Sequence, residues 1–336
     1  MLCFNFQPIM SRLLITGSLA YDYILDYPGL LQDSLGQLHE GASKKFFFQS
    51  RQMKKHYGGC GGNVAYSLGL LGESPRLLSI AGSETGDYLE HLKAVGVDCG
   101  YVQTLKSGRT ASCVILNDRA QNRIVSFHGG VVDRAATLDL KDAVDESVTG
   151  CIITPDDVPA MVKFAQQSRE LNLPFYFDFG SQVTWLSDEE LRKSVLGARA
   201  CFCNEYEMSM FEKKTGWGIV ELLDRVPVVL VTQGSEGCIL HRAGKEVVQI
   251  PACPLREGEL DPSGAGDAFR AGFGFGRVRG WSWLTSARLA STAAAFALEG
   301  EGTQGHRFGR EELLERCQQV YGVLPEKLLK QARQDS

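Results

Sequence analysis

The stretch Asp261-Pro262-Ser263-Gly264-Ala265-Gly266-Asp267-Ala268-Phe269-Arg270-Ala271-Gly272 is the place to begin. Pro262 and the small residues after it predict a turn. The apolar run beyond Asp267 has helical spacing, so a helix is expected from Gly264 towards Gly276. The first N–H groups of a helix lack partners within it and sit at the positive end of its dipole, which makes that end an anion site. Gly264 and Gly266 let an anion come close to the backbone. Asp267, in the first turn, would stand beside that anion. An anion pocket next to a carboxylate suits transfer of a phosphoryl group to a hydroxyl, with the carboxylate taking the proton. A capped helix after a Gly-rich turn accounts for the same residues, so the rest of the chain has to weigh in.

Working outward, short apolar runs alternate with helical patterns. Strands are expected at 12–17, 76–81, 151–154, 174–178, 200–203 and 226–232. Helices are expected at 63–71 (capped by Asn63), 86–95, 158–171, 188–196, 205–214, 282–298 and 310–320. Residues 238–241 and 247–250 read as an edge hairpin, and 28–43 as a loop. Repeated β-α units of this length imply an α/β fold, a mainly parallel central sheet with helices on both faces. The polar and aromatic runs 44–49 and 52–57 have strand character without a helix partner. Together with 18–27 and the hairpin 111–127 they are expected to form a small β lid. The expected organisation is one domain over 12–320, a disordered leader at 1–11 in which Met10 is an alternative start, and a helical tail at 321–336.

The chain has 336 residues, 44% hydrophobic and 22% charged, with net charge −5. That is a globular composition with a large core. The acidic balance disfavours nucleic acid as a partner. No run approaches the ~18 apolar residues of a membrane span, and the first ten residues lack the basic region of a secretion signal. Ten cysteines are scattered without a C-x-x-C pair. Many lie in apolar runs, where free Cys behaves as a small hydrophobe, so a reduced, cytoplasmic protein without a cysteine metal site is expected. The six histidines show no metal spacing. No Walker P-loop, dinucleotide fingerprint or nucleophile elbow is present.

In an open α/β sheet, ligands sit beyond the carboxyl ends of the strands. Polar motifs fall there repeatedly: Asp22 after the first strand, Asn63 closing the Gly58–Gly62 cluster, Asn204 and Glu207 after Cys203, and Thr232 to Gly237 after Val231. An Asp and an Asn in one pocket suit a vicinal diol, since both contact hydroxyls. The plain alternative for Asn63 is a helix cap. Asn204 and Glu207 share a helix face, and oxygen ligands of this kind suit Mg²⁺, often through water. The plain alternative for them is an ordinary helix start with an acid in its first turn.

These residues resemble the ribokinase (PfkB) family of carbohydrate and nucleoside kinases. Gly58-Gly-Cys-Gly-Gly-Asn63 resembles its N-terminal signature and Asp261-Pro-Ser-Gly-Ala-Gly-Asp267 its C-terminal one. Asn204-x-x-Glu207 and Val231-Thr-x-Gly-x-x-Gly237 resemble its two other motifs, and the order is right. The resemblance spans about 14–308 and implies a ribokinase-like fold with a β lid over the acceptor. It implies Asp267 as the base, with backbone N–H groups of Gly264, Ala265 and Gly266 as the anion hole. It implies Asp22, Gly59 and Asn63 on the acceptor's hydroxyls, and Thr232, Gly234 and Gly237 on ATP. Asn204 and Glu207 would organise the phosphates and Mg²⁺, Glu207 through water. Some members need K⁺, and Asp261, Ser263 and Gly302 match the general location of that site.

Within the family, the segments 17–22, 58–63, 124–130 and 267–272 look most like the bacterial adenosine-kinase-type branch, which implies the 5′-OH of adenosine as acceptor. Cys60 stands where ribokinases commonly carry Lys, which argues against ribose. Val131-Val132 replaces the Ala-Met expected in that branch. Phe46, Phe47, Phe48 and Phe127 are candidates to stack on a purine, with plain packing as the alternative. A sugar kinase for fructose, ribose or a related sugar, and a non-catalytic nucleoside binder, are the other readings. An exposed lid edge would either pair with a second copy or stay solvated, giving a homodimer or a monomer.

Overall fold

The computed structural model describes residues 11–35, 46–120, 122–256, 258 and 260–322. The leader, most of the tail and Lys44–Lys45 therefore lie outside the described residues. The strands are β1 (Arg12–Thr16), β2 (Ala20–Asp26), β3 (Gln52–Gly58), β4 (Arg76–Gly82), β5 (Val102–Leu105), β6 (Ala111–Asn117) and β7 (Arg123–His128). They continue with β8 (Val148–Ile153), β9 (Phe175–Asp178), β10 (Ala200–Asn204), β11 (Val228–Thr232), β12 (Cys238–Arg242) and β13 (Val248–Ile250). The helices are α1 (Leu31–Leu35), α2 (Cys60–Leu70), α3 (Gly86–Ala94), α4 (Val158–Glu170), α5 (Asp188–Val195) and α6 (Glu205–Thr215). After them come α7 (Ile219–Leu223), α8 (Ala265–Val278), α9 (Trp283–Leu298) and α10 (Arg310–Tyr321).

Nine strands form the larger sheet, in the order β13-β12-β11-β10-β9-β8-β1-β4-β5. Pairing is parallel except at the β11-β12-β13 edge, which is antiparallel. The chain moves from β1 outward to β4 and β5, then returns to β8 on the other side of β1. That reversal opens a crevice beyond the carboxyl ends of β1 and β8, the usual ligand position in such sheets. Apolar side chains on one face pack with α2, α3, α8, α9 and α10, and those on the other with α4 to α7. Buried runs such as Val228-Val-Leu-Val231 are what a parallel strand covered on both faces requires.

A second sheet of four strands, β3-β2-β6-β7, draws on the segments 20–26, 52–58, 111–117 and 123–128. Its β6-β7 hairpin joins across residues 118–122, and β2 pairs in parallel with β6.

Several local expectations need correction. Asn63 does not cap α2: the helix begins at Cys60 after Gly59, and Asn63 donates its own N–H to the Gly59 carbonyl inside the first turn. The Gly58–Gly62 cluster runs straight into this helix. Gly61 packs against the Gly17 backbone and Gly62 against the Tyr88 hydroxyl, so a side chain at either would collide. Asp22, expected just after β1 within the segment 18–27, lies in β2, paired with His56 and Cys113. Residues 31–35 are helical, and 46–49 are not strand.

Candidate active site

The twelve-residue stretch does form a turn and a helix. Gly264, at φ +77°, precedes α8, and Ala268 N donates to its carbonyl at 2.9 Å. A Cβ at Gly264 would come within 2.9 Å of the Thr303 carbonyl oxygen, so the turn is closed tightly against the 302–304 loop. Asp261 braces this junction. Its two carboxylate oxygens accept the N–H groups of Ser263 at 3.0 Å and Gly302 at 2.9 Å. The three residues expected near a K⁺ site are thus adjacent, with the carboxylate already occupied by backbone donors.

Asp267 points towards α2. Its Oδ2 accepts from Asn63 Nδ2 at 2.8 Å, and the Cys60 thiol also bonds to it. Asn63 Oδ1 in turn accepts from Gln304 Nε2 at 2.8 Å. Gln304 also contacts the Tyr88 hydroxyl, which donates to the Gly58 carbonyl at 2.7 Å. Both polar ends of Asn63 are therefore engaged, one of them on Asp267. Burial raises the Asp267 carboxyl to about 6, against the lowering effect of Asn63 and of Arg270. Asp22 is also raised to about 6, by burial and by the charge of Asp261. It sits against Gly58, where a Cβ would fall 2.4 Å from its Oδ2. Gly59, next in the chain, has φ +88° and is hemmed by the backbone of Ser18 to Ala20, so only glycine fits.

On the other side of α8, a cavity of about 440 Å³ is lined by Thr232, Gly234, Gly237, Ala265, Gly266 and Phe269, with Ala294, Ala295 and Leu298 from α9. The loop after β11 and the start of α8 thus share one mainly apolar pocket. Gly237 has φ +92°, and a Cβ there would strike the Ile250 carbonyl.

Asn204 and Glu207 form a reciprocal capping box at the start of α6: Glu207 N donates to Asn204 Oδ1, and Asn204 N to Glu207 Oε2, each at 2.8 Å. This is the plain reading of that motif. Glu207 is nevertheless buried and raised, by desolvation first and by Asp178 next, with Arg270 opposing. Among the described residues no group of three or more metal-ligating side chains converges. Glu207 has one oxygen outside the cap, a donor set that suits Mg²⁺ held mostly by phosphates and water and not by a protein cage.

Phe127 lies exposed on β7 opposite Cys113, and Phe46 and Phe47 are exposed as well. Phe48 packs edge-on against Tyr27, ring centroids 5.2 Å apart. The residues that the sequence reading passed over are Asp178, Tyr88 and Gln304. Asp178 is visible as the last residue of a strand, where ligating groups gather. Tyr88 and Gln304 carry no signal beyond being polar.

The description "pfkB family carbohydrate kinase" matches residues 10–307. A nucleoside kinase of Methanothermobacter thermautotrophicus is 28% identical over 316 residues, 93% of this chain and 97% of that protein. The structure of Burkholderia thailandensis nucleoside kinase in complex with inosine superposes with a TM-score of 0.82 at 31% identity, covering 93% of this chain and 99% of that one. The same protein with ADP-inosine gives 0.80 at 31% identity, covering 94% and 97%. No described helix is long and apolar enough to cross a membrane.

Proposed function

Since the chain belongs to the pfkB family of carbohydrate kinases and is a phosphotransferase with an alcohol acceptor, we propose that it transfers the γ-phosphoryl group of ATP to the 5′-OH of a purine nucleoside, adenosine foremost. The observation that carries this is the Asn63–Asp267 contact, flanked by the acceptor segment 58–63 on one side and the cavity at Ala265–Gly266 on the other. Nucleoside kinases among the similar proteins, one of them with bound inosine, support a nucleoside over a free sugar.

In this reading ATP lies with its base in the cavity between the β11 loop and α9. Its γ-phosphate points at the N–H groups of Gly264, Ala265 and Gly266. Mg²⁺, beside Glu207, neutralises charge on the phosphates when bound. Asp22 and Gly59 hold the ribose hydroxyls. Asp267, oriented by Asn63, accepts the proton of the attacking hydroxyl as the O–P bond forms. A carboxyl near 6 is ionised at neutral pH yet basic enough to take that proton. Cytoplasmic location, the lid role of the four-stranded sheet and any K⁺ dependence belong to the same reading.

The test is ADP formation with ATP and Mg²⁺ over adenosine, inosine, other nucleosides, ribose and fructose. Best turnover with a purine nucleoside supports the proposal. Best turnover with ribose or fructose would replace it with a sugar kinase, and no turnover with any acceptor would point to a non-catalytic binder. Asp22→Ala should raise the KM for the acceptor by roughly 10–100-fold, the worth of a hydrogen bond to a charged group, and leave the KM for ATP nearly unchanged. If only the ATP KM moves, the two pockets are assigned backwards.

A further inference from the structure

Arg270 lies one turn beyond Gly266 on α8. Its Nε and Nη2 donate to the two carboxylate oxygens of Asp178, at the end of β9, at 2.9 and 2.7 Å. Its Nη1 donates to the Gly266 carbonyl at 2.9 Å. Both side chains are almost fully buried. A Cβ at Gly266 would come 2.8 Å from Nη1, so the small residue is what admits the guanidinium there. One group thus ties the end of a central strand to the first turn of the helix that carries Asp267.

A buried ion pair is a poor device for stability alone, since a well-packed apolar pair of similar volume does as well or better. Its position is more informative. Three carboxyl groups, Asp178, Glu207 and Asp267, surround this single guanidinium, and it lowers the proton affinity of the last two while Asp178 raises it. Around Asp267 the other titratable neighbours are Cys60 on α2 and Tyr88 on α3, both kept neutral by burial. The balance of charge at Asp267 therefore rests on Arg270 and Asp178.

We propose that Arg270, clamped by Asp178, is a positioning residue for the transfer: it fixes the Gly266–Asp267 peptide at the start of α8 and sets the charge that Asp267 experiences. This rests on Asp267 being the base. Arg270 itself touches neither acceptor nor ATP in this scheme.

The test is the pH profile of kcat at saturating acceptor and MgATP, where Asp22 is already engaged by substrate. The wild-type profile is expected to carry an acid limb from the Asp267 carboxyl, which burial raises in the free protein, and that limb is the reference for the variants. Arg270→Met removes the cation, so the limb should move up by about 1 pH unit and kcat should fall at least ~10-fold. Asp178→Asn removes the opposing anion, so its limb should move down. Arg270→Lys should return the limb towards wild type while kcat stays low, because a single ammonium cannot hold Asp178 and the Gly266 carbonyl in one plane. Should Arg270→Met fail to fold, the Asp178→Asn and Arg270→Lys profiles still decide. Limbs that stay in place, or that move the same way in Arg270→Met and Asp178→Asn, overturn the proposal. An Asp267→Asn enzyme with normal turnover would instead remove the base assignment on which it stands.

Discussion

Asp267→Asn is expected to lower turnover by ~10²–10⁴, the usual contribution of a positioned base, with ATP affinity retained. Asparagine keeps the shape and can still bond to Asn63 through its amide, so α8 should hold its place. What disappears is the ability to take a proton from the attacking hydroxyl. The proposed ATP pocket lies across α8 from this carboxyl, lined by Ala265, Gly266 and residues of α9, and should not sense the change. Steady-state kinetics with ATP titration gives both quantities. Turnover within a few-fold of wild type would exclude Asp267 as the base, and a parallel loss of ATP affinity would mean that the variant had disturbed the helix start.

The second large effect is expected from Gly264→Ala. The residue has φ +77°, and the new methyl would meet the Thr303 backbone at 2.9–3.0 Å. An L-residue in this conformation costs roughly 1–2 kcal/mol before any collision is counted. Either the turn or the 302–304 loop has to move, and with it the N–H groups of the proposed anion hole. Loss of one such donor typically lowers kcat by ~10²–10³, and a fall of about that size is expected here. The melting temperature should drop by a few degrees only. A large loss of stability with unchanged kcat per folded molecule would show that Gly264 serves the fold and not the reaction.

The reasons the sequence was readable differ from element to element. The β-α alternation was legible because parallel strands covered on both faces must be short apolar runs, as at 228–231 and 200–203. Helix starts with a side-chain cap were legible too, as at Asn204. The start of α2 was not. Four glycines ahead of Asn63 suggest a break, since a glycine inside a helix weakens it by about 1 kcal/mol relative to Ala. Here close approach to Gly17 and Tyr88 overrides that preference. Asp22 was legible in outline: the segment 18–27 was read as part of a small second sheet, and Asp22 lies there, in β2. The stretch 261–272 pointed to the turn and to the helix that carries Asp267, but not to what surrounds them. Asp178 is 92 residues from Arg270, and Gln304 is 241 from Asn63. Such partners carry no mutual spacing that a linear reading can detect.

Gly274 on α8 makes room for the side chains of Leu13 on β1 and Ile152 on β8, near enough that a Cβ would touch both. These two neighbouring interior strands are therefore covered by a helix whose Gly274 the ribosome adds 122 residues after Ile152 and 261 after Leu13. Until then, the part of that face packed by α8, α9 and α10 has no native cover, and only α2 and α3 shield the rest. A nascent chain stopped near residue 260 should be insoluble or chaperone-bound instead of a stable partial domain, which fractionation of such a truncation would reveal. The last quarter of the chain then supplies α8, the helix that carries the proposed base, and closes the core in one event, so molecules that have folded fully and molecules able to react should be the same population.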